Sequence, residues 1–155
     1  AMRLDEERLA RWGRRIGAEV RPPVLLCLRG PLGAGKSVLA RAVGAGAGVA
    51  EPMPSPSFNL LFQYDAEERS ARVIHLDLYR LAESGELWEL GWEELGQPDQ
   101  IVLVEWPDRA GDLLPEDYWL IDLHIVPGKP RLRDVSVHRV GKPPELPPFP
   151  MTVST

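Results

Sequence analysis

A single cysteine among 155 residues, Cys27, leaves no partner for an intrachain disulfide, so a reducing cytoplasm fits. Cys27 lies inside an apolar run, which marks it as a small buried hydrophobe rather than a nucleophile. No stretch approaches the roughly 18 consecutive apolar residues of a membrane span. No secretory pattern opens the sequence, and a cytoplasmic protein is expected. Internal repeats are absent, which excludes solenoids and propellers. Nowhere is there an Asn-Lys-x-Asp segment, the pattern associated with guanine recognition in GTPases.

The chain is otherwise of ordinary globular composition, 44% hydrophobic and 26% charged, with room for one domain and one substantial core. Its net charge of −5 conceals an asymmetry. From Asp65 to Asp122 there are sixteen acidic side chains against four arginines, whereas residues 127 to 142 carry five Lys/Arg and only Asp134. Phosphates are repelled by an acidic middle, so any RNA contact is expected through the basic end or through a partner protein. Arg131, Arg133 and Arg139 are the residues such a contact would use.

The strongest signal is VLLCLRGPLGAGKSVLA, residues 24 to 40. An apolar, partly β-branched run ends in a glycine-rich turn, and an alanine- and leucine-bearing helical pattern follows. Gly30, Gly35, Lys36 and Ser37 supply G-x-x-x-x-G-K-[ST], a phosphate-binding loop in the strand-to-helix context that the motif requires. Glycines admit positive φ, so that successive N–H groups can face a phosphate. The helix start adds unpaired N–H groups and the positive end of its dipole. Lys36 brings a full charge to the β- and γ-phosphates, and the Ser37 hydroxyl can ligate Mg²⁺. The cradle is expected to run through Gly30, Pro31, Leu32, Gly33, Ala34, Gly35, Lys36, Ser37 and Val38, and its ligand to be a nucleoside triphosphate.

Around this loop the chain reads as alternating helices and strands. Residues 5 to 19 form an amphipathic helix with Leu9, Trp12 and Ile16 on one face and Asp5 as N-cap. The loop helix frays at Gly44, Gly46 and Gly48. Residues 51 to 57, EPMPSPS, are too proline-rich for helix or central strand; Ser55 and Ser57 stand where a γ-phosphate-sensing loop commonly lies, and local sequence fits a plain linker equally well. Phe58 to Tyr64 and Arg72 to Asp77 read as a hairpin. Helical patterning covers Glu83 to Leu90 and Trp92 to Leu95. Ile101 to Val104 is a strand buried on both faces, Ala110 to Leu114 one turn, and Tyr118 to Val126 with Arg133 to Val140 a final strand pair. A single domain over 1–141 and a flexible proline-rich tail over 142–155 are expected.

A phosphate loop needs an acidic strand end beside it to hold Mg²⁺. Glu105 follows Ile-Val-Leu-Val and Asp77 follows Val-Ile-His-Leu; the more continuously apolar run favours Glu105. His75 is more readily structural than a general base. Trp106 can pack over the nucleotide, and Arg80 can stabilise charge on a transferring phosphoryl group. Without a guanine motif, ATP is favoured.

GPLGAGKS at 30 to 37, SPSFNL at 55 to 60, HLDLYRL at 75 to 81 and VEWPDRAGDLLP at 104 to 115 together resemble the bacterial TsaE (YjeE) family, the P-loop ATPases of tRNA threonylcarbamoyladenosine synthesis. The resemblance spans roughly residues 5 to 140. It implies an α/β fold, a P-loop NTPase-type three-layer sandwich with a mixed central sheet. It also implies that Lys36 and Ser37 serve phosphate and Mg²⁺, with Glu105 as the magnesium carboxylate. Ser55 to Phe58, including Ser57, would lie near the γ-phosphate, Asp77 would be needed for hydrolysis, and Trp106 would lie beside the nucleotide. Catalytic roles thus fall to Asp77, Glu105 and Lys36, metal binding to Ser37 and Glu105, and the implied cofactors are ATP and Mg²⁺. Partners implied by the resemblance are TsaB and TsaD, with tRNA reached through their complex. Pro31 and Asp108 depart from the family's usual acidic residue and glutamate, which bears on positioning and not on class.

Three functions compete. An ATPase driving a tRNA-modifying assembly needs no acceptor domain. A small-molecule or nucleotide kinase needs a lid with cations, yet residues 83 to 99, the one insert that could serve, contain no Lys or Arg. A nucleotide-binding scaffold would not need both carboxylates. The first is expected.

Overall fold

The computed structural model describes residues 2–50, 61–66, 71–81, 83, 85–89 and 91–148. Its elements are β1 (Met2–Asp5), α1 (Glu6–Glu19), β2 (Val24–Arg29), α2 (Lys36–Ala47), β3 (Leu61–Ala66), β4 (Ala71–Asp77), α3 (Glu86–Glu89), β5 (Gln100–Glu105), β6 (Tyr118–Val126) and β7 (Lys129–Val140). Short 3-10 segments cover Trp92–Glu94 and Pro107–Leu113. The strands form one mixed sheet in the order β1-β7-β6-β2-β5-β4-β3. Strands β6, β2, β5 and β4 are mutually parallel, and the β6–β7, β1–β7 and β3–β4 pairs are antiparallel.

Strand β5, QIVLVE, is buried at every position, as its uninterrupted apolar run requires. Alternate residues of β2 and β5 serve different layers. Leu26, Leu28, Ile101 and Leu103 face the core beneath α1 and α2, while Cys27, Val102 and Val104 face Leu87, Trp92 and Ala110 on the other side. The result is a three-layer α/β sandwich. Cys27 is fully buried, and that burial pushes its thiol up to about 12, so it is inert packing.

Helix α1 begins where expected: Asp5 caps it, its carboxylate accepting from Arg8 N–H at 2.8 Å. Leu9, Trp12 and Ile16 are buried. The two helices lie close because Gly17 faces the Val43 carbonyl of α2 and Gly46 faces the Arg14 carbonyl of α1. A β-carbon at either position would overlap that oxygen.

The sequence pattern misplaces some boundaries. Strand β1 was not anticipated, because four residues are too few to show a period. It is an edge strand whose Met2 and Leu4 point into the core and whose Arg3 pairs with Asp134 on β7 at 2.9 Å. The helix expected over 83 to 90 is a single turn, Glu86–Glu89, between Gly85 and a left-handed Gly91 (φ 80°). Strand β7 starts at Lys129, earlier than expected, and its pairing with β6 is interrupted: Val126 faces Lys129, whereas Ile125 faces Arg133. The proline-rich segment, described through residue 148, is fastened to the sheet by Trp119 Nε1 donating to the Pro144 carbonyl at 2.7 Å.

Candidate functional site

The loop after β2 carries out the backbone reversals its glycines allow. Gly30, Gly33 and Gly35 have φ of 153°, 79° and 105°. Gly30 lies against the Leu123 carbonyl of β6, where no β-carbon fits, and Gly35 occupies the N-cap of α2. The Ala34 N–H donates to the Pro31 carbonyl at 3.1 Å, and Leu39 N–H to Gly35 at 3.0 Å. Pro31 and Leu32 form the tip, with Leu32 65% exposed, and Val38 lies in the first turn of α2. The helix start and its free N–H groups therefore face the cleft at the carboxyl ends of the parallel strands, where open α/β sheets bind ligands.

Lys36 is 5% exposed. Its ammonium donates to the carbonyls of Gly30 (2.6 Å) and Pro31 (2.8 Å) and stands 4.3 Å from the centre of the Trp106 ring. Burial lowers its pKa, while the Glu105 and Asp77 carboxylates pull it upward. Trp106 is held for this stacking by a left-handed backbone (φ 59°), the one non-glycine residue at positive φ among those described. Tyr79 packs against the same ring, tilted by 44°, with ring centres 5.0 Å apart.

Because β4 and β5 are parallel and in register, Asp77 and Glu105 end adjacent strands side by side. Glu105 is buried beside Ser37, whose hydroxyl lies 3.2 and 3.4 Å from its two oxygens. His75 Nε2 lies 2.6 Å from Glu105 Oε2. With the ring proton on Nε2, His75 donates to the carboxylate, which when ionised only accepts. His75 is 1% exposed and holds Glu105 from behind, a structural role rather than that of a base facing solvent. Asp77 accepts from the Tyr79 N–H at 3.0 Å, and its pKa is raised, chiefly by burial. Ser37 and Glu105 present hard oxygen donors of the kind Mg²⁺ takes, alongside waters and phosphates. Among the described residues no cluster of three or more His, Cys, Asp or Glu is arranged to hold a metal; a Mg²⁺ shared with phosphates does not need one.

These groups line a cleft of about 830 Å³, the size of a small-molecule site. Lys36, Ser37, Asp77, Glu105 and Trp106 all open onto it, as does Arg80. Ser55 and Ser57, with the rest of 51–60, lie outside the described residues.

A family model described as "Threonylcarbamoyl adenosine biosynthesis protein TsaE" matches residues 4–132. The chain belongs to the TsaE family. Among relatives named tRNA threonylcarbamoyladenosine biosynthesis protein TsaE, that of Treponema pallidum is 31% identical over 76% of this chain and 84% of its own length. That of Haemophilus influenzae is 29% identical over 89% of both, and that of Streptomyces coelicolor is 36% identical over 68% of this chain and 71% of its own. The crystal structure of Bacillus subtilis YdiB has the same fold, with a TM-score of 0.67 at 23% identity over 90% of this chain and 84% of that one. The α/β sandwich is of the P-loop NTPase type.

For a TsaE-family chain, the site contains more than its motifs. Asp5, Glu6 and Glu7 from the start of α1 line the same cleft, as do Pro130, Arg131 and Arg133 at the start of β7. None was anticipated there; their sequence signal was only a helix cap and a basic run. Arg139 donates to the Pro143 carbonyl at 3.3 Å and stands 5.7 Å from the Trp119 ring. Arg133 donates to four backbone carbonyls. Two of the three arginines considered for RNA contact are thus committed within the chain. Among the described residues no helix is long and apolar enough to cross a membrane.

Proposed function

We propose that this TsaE-family chain binds ATP with Mg²⁺, hydrolyses it, and acts through that cycle on a TsaB–TsaD assembly in tRNA threonylcarbamoyladenosine synthesis. One observation carries the reading: Lys36, Ser37, Glu105 and Asp77, from three separated stretches of sequence, converge on one cleft at a helix N-terminus.

Each group has a distinct task. The loop N–H groups and the α2 dipole bind phosphate oxygens. Two of the three Lys36 donors hold the Gly30 and Pro31 carbonyls, which fixes the ammonium and leaves a donor for a phosphate. Ser37 and Glu105 would hold Mg²⁺, which when bound neutralises charge on the β- and γ-phosphates. His75 keeps the Glu105 carboxylate turned toward Ser37. Asp77, whose carboxylate has raised proton affinity, orients the attacking water and accepts its proton. Trp106 and Tyr79 wall the cleft and keep Lys36 in place.

The test is ATP hydrolysis by the purified chain, alone and with TsaB, TsaD and tRNA. Slow release of inorganic phosphate that accelerates with the assembly is the expected result. Phosphate recovered on a small-molecule acceptor would replace this reading with a kinase, and tight ATP binding with no turnover in any mixture would replace it with a scaffold.

A further inference from the structure

We propose that Arg133 is a positioning residue of the phosphate loop, a brace from β7 that sets the loop's carbonyls outward. The inference rests on the loop being a phosphate cradle. It adds a residue outside every motif that marks the cradle.

Arg133 Nε donates to the Ala34 carbonyl at 2.9 Å and Nη2 to the Gly33 carbonyl at 3.1 Å. These two nitrogens form one edge of the guanidinium fork, and they take adjacent carbonyls at the middle of the loop. The other edge is anchored: Nη1 donates to the Pro130 carbonyl at 2.7 Å and the Leu132 carbonyl at 3.0 Å. A planar fork pinned on one side presents its other side in a fixed direction, which a lysine cannot do. In a glycine-bearing loop, each peptide group can flip at little cost. Fixing the Gly33 and Ala34 carbonyls outward fixes the N–H groups of the same peptide units: that of Ala34 on the Pro31 carbonyl, which closes the turn, and that of Gly35 in the opposite direction, as an anion cradle requires.

The backbone of β7 is shaped to deliver this side chain. Val126 pairs with Lys129 and Ile125 with Arg133, so Pro130, Arg131 and Leu132 bulge out of the β6 ladder immediately before it, Leu132 keeping its pairing with Asp5 of β1. Bulges of this kind re-aim a side chain. Arg133 then pairs with Leu4 of β1 and shares the helix-bearing face of the sheet with Leu4 and Val135. No carboxylate among the described residues lies within ion-pairing distance of its guanidinium, so its positive charge remains unneutralised beside the cradle.

The decisive measurement is residue-level hydrogen exchange of the loop amides in nucleotide-free protein, for the wild type, Arg133→Met and Arg133→Lys. Calorimetric titration with MgADP and MgATP accompanies it. In Arg133→Met, exchange at Ala34, whose N–H is bonded to the Pro31 carbonyl, should rise at least about tenfold, as removal of two charge-assisted bonds implies. The amides of Ile101 to Val104 in β5 should be unchanged. Affinity for MgADP and MgATP should fall by the same factor, because a brace acts on the whole cradle. Arg133→Lys keeps the charge but not the fork, so its loop exchange should remain fast. Unchanged loop exchange in Arg133→Met would overturn the proposal, as would an equal loss of protection in β5, which would mean general fold support. A loss confined to MgATP would make Arg133 a γ-phosphate contact instead. Full rescue by lysine would show that charge alone matters. If wild type binds neither nucleotide, the ATPase reading fails while the exchange comparison still decides whether Arg133 braces the loop.

Discussion

Replacing Glu105 with glutamine separates its two jobs, holding the buried polar cluster and holding a metal. The glutamine amide is nearly isosteric. Its oxygen can accept from His75 Nε2, now 2.6 Å from the carboxylate, and its NH₂ can donate to the Ser37 hydroxyl, now at 3.2 Å. What is lost in stability is the charge assistance of one short bond, about 1 kcal/mol. For a chain of this length that lowers Tm by roughly 2–4 °C. The metal job suffers more. Two unit charges 4 Å apart interact by about 4 kcal/mol at an effective dielectric of about 20, and the ion carries two. Solvent in an open cleft screens most of this, leaving about 1.5–3 kcal/mol, or roughly 10- to 100-fold. Calorimetric titration of ATP at a series of Mg²⁺ concentrations isolates that term. Wild type should bind ATP more tightly as Mg²⁺ rises, and Glu105→Gln should lose most of the enhancement while keeping its metal-free affinity. An unchanged Mg²⁺ dependence would refute the assignment and pass the role to Asp77. Glu105→Ala is the poorer probe, because it strands the buried His75 donor at a further cost of about 1–3 kcal/mol.

Lys36→Ala removes the cradle's only full charge on α2's first turn and should weaken MgATP binding at least about 100-fold, measured by the same titration; near-native affinity would mean that the loop N–H groups suffice. Asp77→Asn should abolish turnover while sparing ATP affinity, and equal hydrolysis by both proteins would remove Asp77 from the mechanism. Burial raises the Asp77 pKa in the folded chain, so its ionised form opposes folding. That cost is complete above the folded pKa and disappears as pH falls below the ordinary value of 3.8, so Asp77→Asn should raise Tm at neutral pH and lose the advantage in acid. For the same reason the acid limb of wild-type hydrolysis should lie above that ordinary value; a profile flat to pH 4 would contradict a base at Asp77. Gly17→Ala drives a methyl into the Val43 carbonyl and should cost about 1–3 kcal/mol, or roughly 3–10 °C in Tm by calorimetry.

How far the site was legible depends on how each residue acts. In the proposed cycle Lys36, Ser37 and Glu105 act through their own side chains, so the chemistry demands their types, and local context completes the inference: a glycine-rich turn before a helix, an apolar run before an acid. The side-by-side placement of Asp77 and Glu105 follows from two buried runs ending in acids, and the register of β4 on β5 supplies the rest. His75 was legible as structural, but its partner was not, since nothing in a strand's sequence says which neighbouring strand end it will face. Strand β1 is a limit of length, because its two inward residues cannot establish a period. Arg133 marks a different limit. Its contacts with the loop are to carbonyls 99 and 100 residues away, and a backbone oxygen has the same chemistry whatever residue carries it. No complementary side chain could betray the pairing, and a single arginine in a basic run looks like surface charge. Only the bulge before it, which aims the fork at the loop, distinguishes it from Arg131 two residues earlier. Side chains that support a site through its backbone are therefore the ones a motif search passes over, although the motif's own geometry depends on them.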